Sequence, residues 1–86
     1  MTEMKSQNGT VVAINHRRAM FILEIERGDF VVFELLAGID IAVGDVVQGN
    51  LKALGGETLY HQGLGQSFAA YGQSGPSSRS ACERLL

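Results

Sequence analysis

Two stretches in the first half of the chain, 19–25 and 30–36, carry apolar residues at every odd position. Apolar side chains at every second position are typical of β-strands with a buried face. The polar break between the two stretches contains Gly28, and glycine favours tight turns. The pattern therefore predicts two antiparallel strands joined by a hairpin turn.

The register of this hairpin follows from the rule that residues paired across two strands share one side of the sheet. A two-residue turn would place apolar side chains opposite charged ones. A three-residue turn over 26–28 pairs Phe21 with Phe33. It also pairs Leu23 with Val31, and its glycine takes the left-handed conformation that such turns favour. We therefore predict the three-residue turn.

The other face of the predicted hairpin is also largely apolar. It carries two carboxylates and four apolar side chains, which are Glu24, Glu34, Met20, Ile22, Phe30 and Val32. A solvated sheet face is mostly polar, and an apolar patch is usually covered by something. We expect this face to be covered by the rest of the barrel, by a second copy of the chain or by a ligand.

Strand-forming runs recur along the rest of the chain between Gly, Asn and Asp residues, which favours an all-β fold. The further strands are predicted at about 9–15, 46–54 and 57–62, and 37–45 is a connection with alternating apolar residues. Five short strands with a long connection after the third match the OB-fold, a five-stranded antiparallel barrel. Residues 68–71 are expected to add at most a little strand that packs on the barrel.

The chain of 86 residues is expected to form one domain. Residues 1–8 are predicted to be a flexible N-terminus, and residues 9–72 an OB-like β-barrel domain. Residues 63–65 lack the further glycines and the lysine that a phosphate-binding loop requires, so we predict that they form a flexible connector. Residues 73–86 include the one Pro and several Ser residues, so we predict a disordered or loosely docked tail.

Charge is distributed unevenly along the chain, although the net charge is only −2. Residues 1–18 carry a net +2, residues 19–50 a net −5 and residues 51–86 a net +1. Phosphate backbones are bound by clustered Lys and Arg, so the acidic strand region opposes nucleic-acid binding. The basic cluster is the turn His16-Arg17-Arg18, which is either a solvated turn or a phosphate-contacting corner.

Several other classes of protein are disfavoured. Cys82 is the single cysteine, which excludes an internal disulfide and suits a reducing compartment. No apolar run approaches the ~18–20 residues of a membrane helix, and residues 1–5 do not resemble a signal peptide, so we expect a cytoplasmic protein without a membrane segment. His16 and His61 are not spaced with a nucleophile or metal ligands, so we predict neither an enzyme nor a cofactor.

Four segments of the predicted barrel, 9–15, 18–23, 30–33 and 43–47, share their order and spacing with the motifs of a known family. They resemble, in that order, the cold-shock domain motifs G-x-V-K-W-F-N, K-G-F-G-F-I, F-V-H-F and E-G-Q-x-V. The resemblance covers about residues 9–62. It implies an OB-fold barrel of the cold-shock type, in which bases of single-stranded nucleic acid stack on aromatic side chains beside basic residues.

When the binding residues of that family are matched to this chain by position, few of them are retained. Phe30 has an aromatic platform position, Phe33 a second aromatic position and Arg18 a basic position. The family's other aromatic, basic and histidine positions hold aliphatic residues here, namely Val12, Ala13, Ile14, Met20, Ile22 and Val32. Base stacking contributes about 1–3 kcal/mol per base, so these replacements leave charge as the main source of any nucleic-acid affinity.

Two functions therefore remain open. The first is weak binding of single-stranded RNA or DNA through the basic turn and a reduced strand face, with the site residues His16, Arg17, Arg18, Met20, Ile22, Phe30, Val32 and Lys52. The second is a protein-interaction or self-association module without nucleic-acid binding. It would bury the aliphatic outer face against a protein partner or in a homodimer, through Met20, Ile22, Phe30 and Val32.

Overall fold

The structure, a computed structural model, describes residues 6–26 and 28–86. Within these residues the fold is all-β, a closed antiparallel barrel of six strands with one short helix near its C-terminal end. The elements are β1 (Gln7–Asn15), β2 (Met20–Glu26), β3 (Asp29–Leu35), β4 (Val46–Gly49), β5 (Gly55–His61), β6 (Gln66–Gly72) and α1 (Arg79–Leu85).

The barrel closes in the order β1-β2-β3-β6-β5-β4, and β4 pairs with β1. The sequence pattern predicts five strands, and the structure corrects this number. Residues 66–72 form a full strand between β3 and β5. Its side chains alternate, so that Phe68 and Ala70 point into the core and Tyr71 points outward. Residues 63–65 form the tight turn before it, in which the Gly65 N–H donates to the main-chain oxygen of His61 at 2.9 Å.

The β2–β3 hairpin has the predicted register over residues 20–24, but not at its turn. The register shifts between Glu24 and Glu26, and Glu26 pairs with Asp29, so the connection is shorter than the predicted three-residue turn over 26–28. Phe21 pairs with Phe33 and Leu23 pairs with Val31. Gly28 has a φ of 84°, which is the left-handed conformation expected of it, whereas Arg27 lies outside the described residues. The sequence pattern therefore identified both the pairing of these strands and the faces that they present.

The inward side chains of all six strands form the main core. The Phe21 ring lies at the centre of it, with its centroid 6.2 Å from that of Phe33 and 6.5 Å from that of Phe68. A fully buried side chain of this size contributes about 1.5–3 kcal/mol to stability. The connection 36–45 adds Ile41 and Ile39 to the core without forming a strand. The buried members are Val11, Phe21, Leu23, Val31, Phe33, Ile41, Val47, Leu51, Leu59, Phe68 and Ala70.

Residues 73–86, for which the composition predicts a disordered or loosely docked tail, run beside β3 and then form α1. Ser77 and Phe30 exchange two main-chain hydrogen bonds of 2.9 Å each, and the Gln73 N–H donates to the Val32 oxygen at 2.8 Å. The Ser78 hydroxyl caps the helix by accepting from the Ala81 N–H at 3.2 Å. These contacts place α1 on the outer face of the β2–β3 hairpin.

We expect Gly72→Ala to destabilise the barrel, by about 1–3 kcal/mol or more, because overpacking against rigid atoms is costly. A Cβ at Gly72 would clash with the main-chain carbonyl of Ala53, which no rotamer change can relieve. Gly56→Ala is the matched control, since Gly56 lies in the neighbouring strand and a Cβ there meets nothing within 4 Å. Urea unfolding of both variants measures the difference, and equal midpoints would contradict this prediction.

Candidate binding surfaces

The structure divides the predicted site residues into three places. The basic residues His16, Arg17 and Arg18 are exposed in the turn between β1 and β2. The apolar residues lie together on the outer face of the hairpin and pack around Cys82; they are Met20, Ile22, Phe30 and Val32. Lys52 is exposed in the connection between β4 and β5. The predicted residues therefore do not form one continuous site.

Asn15 shapes the basic turn. Its side-chain Oδ1 accepts from the main-chain N–H groups of Arg17 at 3.1 Å and Arg18 at 3.2 Å. An Asn side chain that bonds to the backbone two and three residues later is a common way to initiate a turn. Ala19 completes the turn with a φ of 57°. This geometry presents the side chains of His16 and Arg17 to solvent.

Arg18 faces the end of α1. One guanidinium nitrogen donates to the main-chain oxygens of Leu85 and Leu86, each at 3.3 Å. Asn15 Nδ2 donates to the Leu86 oxygen as well, at 2.7 Å. The last carbonyls of a helix lack partners within the helix and carry partial negative charge, so a cation and an amide stabilise them. The basic turn thus holds the helix in place.

The helix covers the apolar outer face of the hairpin. Ile22, Val32 and Cys82 are fully buried against one another, and Met20 and Phe30 are partly buried around them. The sequence pattern predicts that this face is covered, and the structure shows that residues of the same chain cover it. A base, a protein partner or a second copy would contact Ile22 and Val32 only after α1 had moved away.

Lys52 lies far from the basic turn. Gly49 at the end of β4 pairs with Gln7 at the start of β1, whereas the basic turn follows the end of β1 at Asn15. The nine residues of β1 span roughly 26 Å at about 3.3 Å per residue. Lys52 and the arginines of the turn therefore lie at opposite ends of the barrel.

A pair of polar side chains that the sequence did not predict, the buried His61 and the partly exposed Asp45, joins the end of β5 to the connection before β4. His61 Nε2 and Asp45 Oδ2 are 2.7 Å apart, and the same carboxylate oxygen accepts from the Ala42 N–H at 2.8 Å. His61 Nδ1 accepts from the Leu64 N–H at 3.1 Å, so in the neutral ring Nε2 carries the proton and donates it to Asp45. The hydrogen bond from His61 lowers the pKa of the Asp45 carboxyl.

The His61–Asp45 pair links the end of β5 to the connection before β4, and it is poorly arranged for acid–base chemistry. A general base needs a free nitrogen within hydrogen-bond reach of a substrate proton. Both ring nitrogens of His61 have partners within the protein, and the ring is buried. An open depression beside the pair is lined by Gly44, Asp45, Val46, His61, Gln62 and Gly63. Within residues 6–26 and 28–86, no three metal-ligating side chains come together.

Comparison of the chain with protein-family models, with curated proteins and with solved structures gave no match. The cold-shock resemblance therefore rests on the residues of this chain alone. No helix in the described part of the chain combines the length and the apolar character required to cross a membrane.

The reactivity of Cys82 reports how firmly α1 is docked. Burial raises the pKa of its thiol, and a side-chain hydrogen bond with Ser74 partly offsets this rise. Because the thiolate is the reactive form and Cys82 is fully buried, we expect slow labelling by a disulfide reagent, with a rate set by opening of the helix. Arg18→Ala should speed labelling about 2–10-fold, because it removes one or two weak hydrogen bonds that keep the helix docked.

Arg79→Ala is the control for this labelling experiment. Arg79 is exposed at the other end of α1 and pairs only with Glu83 among the described contacts, at 3.1 Å. An exposed ion pair of this kind contributes little to stability, so the labelling rate should stay near that of the unmodified chain. A Cys82 that reacts as fast as a free thiol would show that the helix does not protect it.

The Asp45–His61 pair makes stability depend on pH. Since the pKa of Asp45 is lower in the folded protein than its usual value of 3.8, its stabilising contribution is fully present above that value and is lost as the pH falls through the folded pKa. Asp45→Asn should therefore lower stability at neutral pH and reduce the loss of stability on acidification. Chemical unfolding between neutral and acidic pH measures both effects. Asp40→Asn, an exposed change in the same connection, should alter neither.

Proposed function

We propose that the chain is a small OB-fold-type module, similar to cold-shock domains, that binds single-stranded nucleic acid weakly through the basic end of its barrel. Three features support the OB-fold assignment. The barrel is antiparallel and closed, β1 pairs with both β2 and β4, and a long connection follows β3. The sixth strand is the departure from that fold, which has five.

The observation that carries this proposal is the separation of charge along the hairpin. Arg17 and Arg18 lie at one end of β2, and Arg84 lies in the last turn of α1, next to Leu85, whose oxygen Arg18 binds. The acidic residues Glu24 and Asp29 lie towards the other end. Exposed arginines at the adjoining ends of two elements can supply contacts to a phosphate backbone.

Glu34 is the carboxylate nearest to this basic end in the register, since it pairs with Met20. Its Oε1 accepts from the side-chain amide of Gln73 at 3.2 Å. The carboxylate is therefore turned towards the segment beside β3. Its negative charge lowers the affinity of the basic end for phosphate but does not abolish phosphate binding there.

Base stacking contributes little to the proposed binding while α1 is in place. The platform positions held by Ile22 and Val32 are fully buried, and Phe30 is partly buried beside the segment that precedes the helix. Affinity then depends on phosphate contacts, which carry no sequence information. We expect weak binding with little preference among sequences or between RNA and DNA.

Salt dependence provides the quantitative test. About three phosphate contacts on a single strand predict a slope near −2 for log affinity against log salt, so affinity should fall about 20-fold between about 50 and about 200 mM salt. Fluorescence anisotropy with a labelled oligonucleotide measures this slope. Arg17→Ala and Arg84→Ala should each reduce its magnitude by about 0.7.

Two control variants test whether binding depends on the basic end of the barrel. Arg79→Ala removes the same charge at the far end of α1 and should leave the slope unchanged. Phe30→Ala should reduce affinity less than Arg17→Ala does. Absence of binding at low salt, or equal effects of Arg79→Ala and Arg17→Ala, would refute the proposal.

A further inference from the structure

The turn between β5 and β6, residues 62–65, is bonded to the ring and to the main chain of His61. His61 Nδ1 accepts from the Leu64 N–H at 3.1 Å, and the His61 main-chain oxygen accepts from the Gly65 N–H at 2.9 Å. The turn also packs against the ring, since a Cβ at Gly63 would lie 3.2 Å from His61 Cε1. Leu64 is 50% exposed, so its side chain does little to fix the turn. The conformation of this turn therefore depends on one imidazole ring.

The other side of the ring is fixed by the connection before β4. His61 Nε2 is 2.7 Å from Asp45 Oδ2, and the same oxygen accepts from the Ala42 N–H at 2.8 Å. Nε2 carries a proton in the neutral ring, and it carries one in the charged ring as well, so it donates to Asp45 in both states. The bond to the carboxylate becomes charge-assisted when the ring is protonated. The two protonation states of His61 therefore differ at Leu64 and not at Asp45.

We propose that His61 is a pH-sensitive switch that holds the turn of residues 62–65 when the ring is neutral and releases it when the ring is protonated. A proton gained at Nδ1 converts this nitrogen from an acceptor into a donor. It then faces the N–H of Leu64, which is a donor too. Two donors 3.1 Å apart repel each other, so Leu64 has to leave the ring. Histidine is the side chain that ordinarily gains its proton between about pH 5 and pH 8.

Asp45 is the charged group that faces the ring among the described residues. β1, β4 and the turn contain no Asp, Glu, Lys, Arg or further His. The remaining titratable residues of β5, β6 and the connection 36–45 lie at distant register positions or on the outer surface; they are Asp40, Glu57, Tyr60 and Tyr71. The hydrogen bond from His61 lowers the pKa of the Asp45 carboxyl, so Asp45 stays ionised while the ring titrates. The carboxylate thus holds Nε2 in place throughout the change.

The turn has the freedom to change conformation. Gly63 and Gly65 flank Leu64, and Gly65 already has a φ of 65°. Glycine adopts conformations that other residues rarely do, so this segment has several alternatives at low cost. The ring and the turn also line the open depression beside the pair, and water there can accept from both donors after they separate. Release of the turn therefore changes the shape of this depression with pH.

A series of NMR spectra between about pH 7.5 and about pH 5 tests the switch, since histidine ordinarily titrates in this range. Long-range proton–nitrogen spectra of the ring report which of its nitrogens carry a proton. Amide exchange, corrected at each pH for its intrinsic rate, reports the turn. We expect the Leu64 amide to exchange about 2–10-fold faster once the His61 ring is protonated, because one hydrogen bond is lost. The Gln62 amide donates to the Val46 oxygen at 3.0 Å and should keep its rate.

Three results would overturn the proposal. The first is a His61 ring that stays neutral until the whole protein unfolds. The second is a Leu64 amide that does not respond when the ring gains its proton. The third is an equal loss of protection at Leu64 and Gln62, which would indicate that β5 as a whole separates from β4.

Two histidine variants provide a matched comparison. His61→Gln removes the titrating ring, so Leu64 exchange should no longer change with pH beyond its intrinsic rate. His16→Gln is the control, because His16 is exposed in the turn between β1 and β2, and this variant should keep the response. If His61→Gln fails to fold, the spectra of the unmodified chain still decide the question. Arg17→Ala should leave the response unchanged, which separates this proposal from nucleic-acid binding.

Discussion

The burial of the β2–β3 hairpin on both faces is the constraint from which the rest of the structure follows. Phe21 and Phe33 point into the barrel, whereas Ile22 and Val32 point outward, and all four are fully buried. A barrel provides a core for the inward side only. The outward side needs a second layer, and the segment that contains Cys82 supplies it. The small domain thereby gains a second apolar cluster, which matters because short chains bury a limited part of their surface.

This second layer also determines which surfaces are available for binding. Residues that would form a platform for bases or a contact for a partner lie under α1, and Arg18 bonds to the end of that helix. The basic turn has a structural role in addition to any role in binding. The exposed arginines at the end of the helix remain accessible, and they carry the proposed nucleic-acid binding.

Much of the barrel could be predicted from local alternation, because the period of two in a strand identifies the face of each residue. Phe21, Leu23, Val31 and Phe33 show this directly. The sixth strand was harder to predict, because its inward residues Phe68 and Ala70 alternate over one short segment between glycines. The helix gave a weaker signal. The apolar or small residues of this segment have helical spacing, but only over one or two turns; they are Ala81, Cys82, Leu85 and Leu86. The composition of the same segment predicts a tail instead.

The His61–Asp45 pair illustrates what no local pattern contains. The two residues are 16 positions apart, and each looks ordinary in its own segment. Their contact depends on the pairing of β4 with β5, which sets His61 opposite Val47, two residues after Asp45. The same limit applies to Arg18 and Leu86, which are 68 positions apart. Side chains that join distant segments are specified by topology, so their roles emerge only once the pairing of all six strands is known.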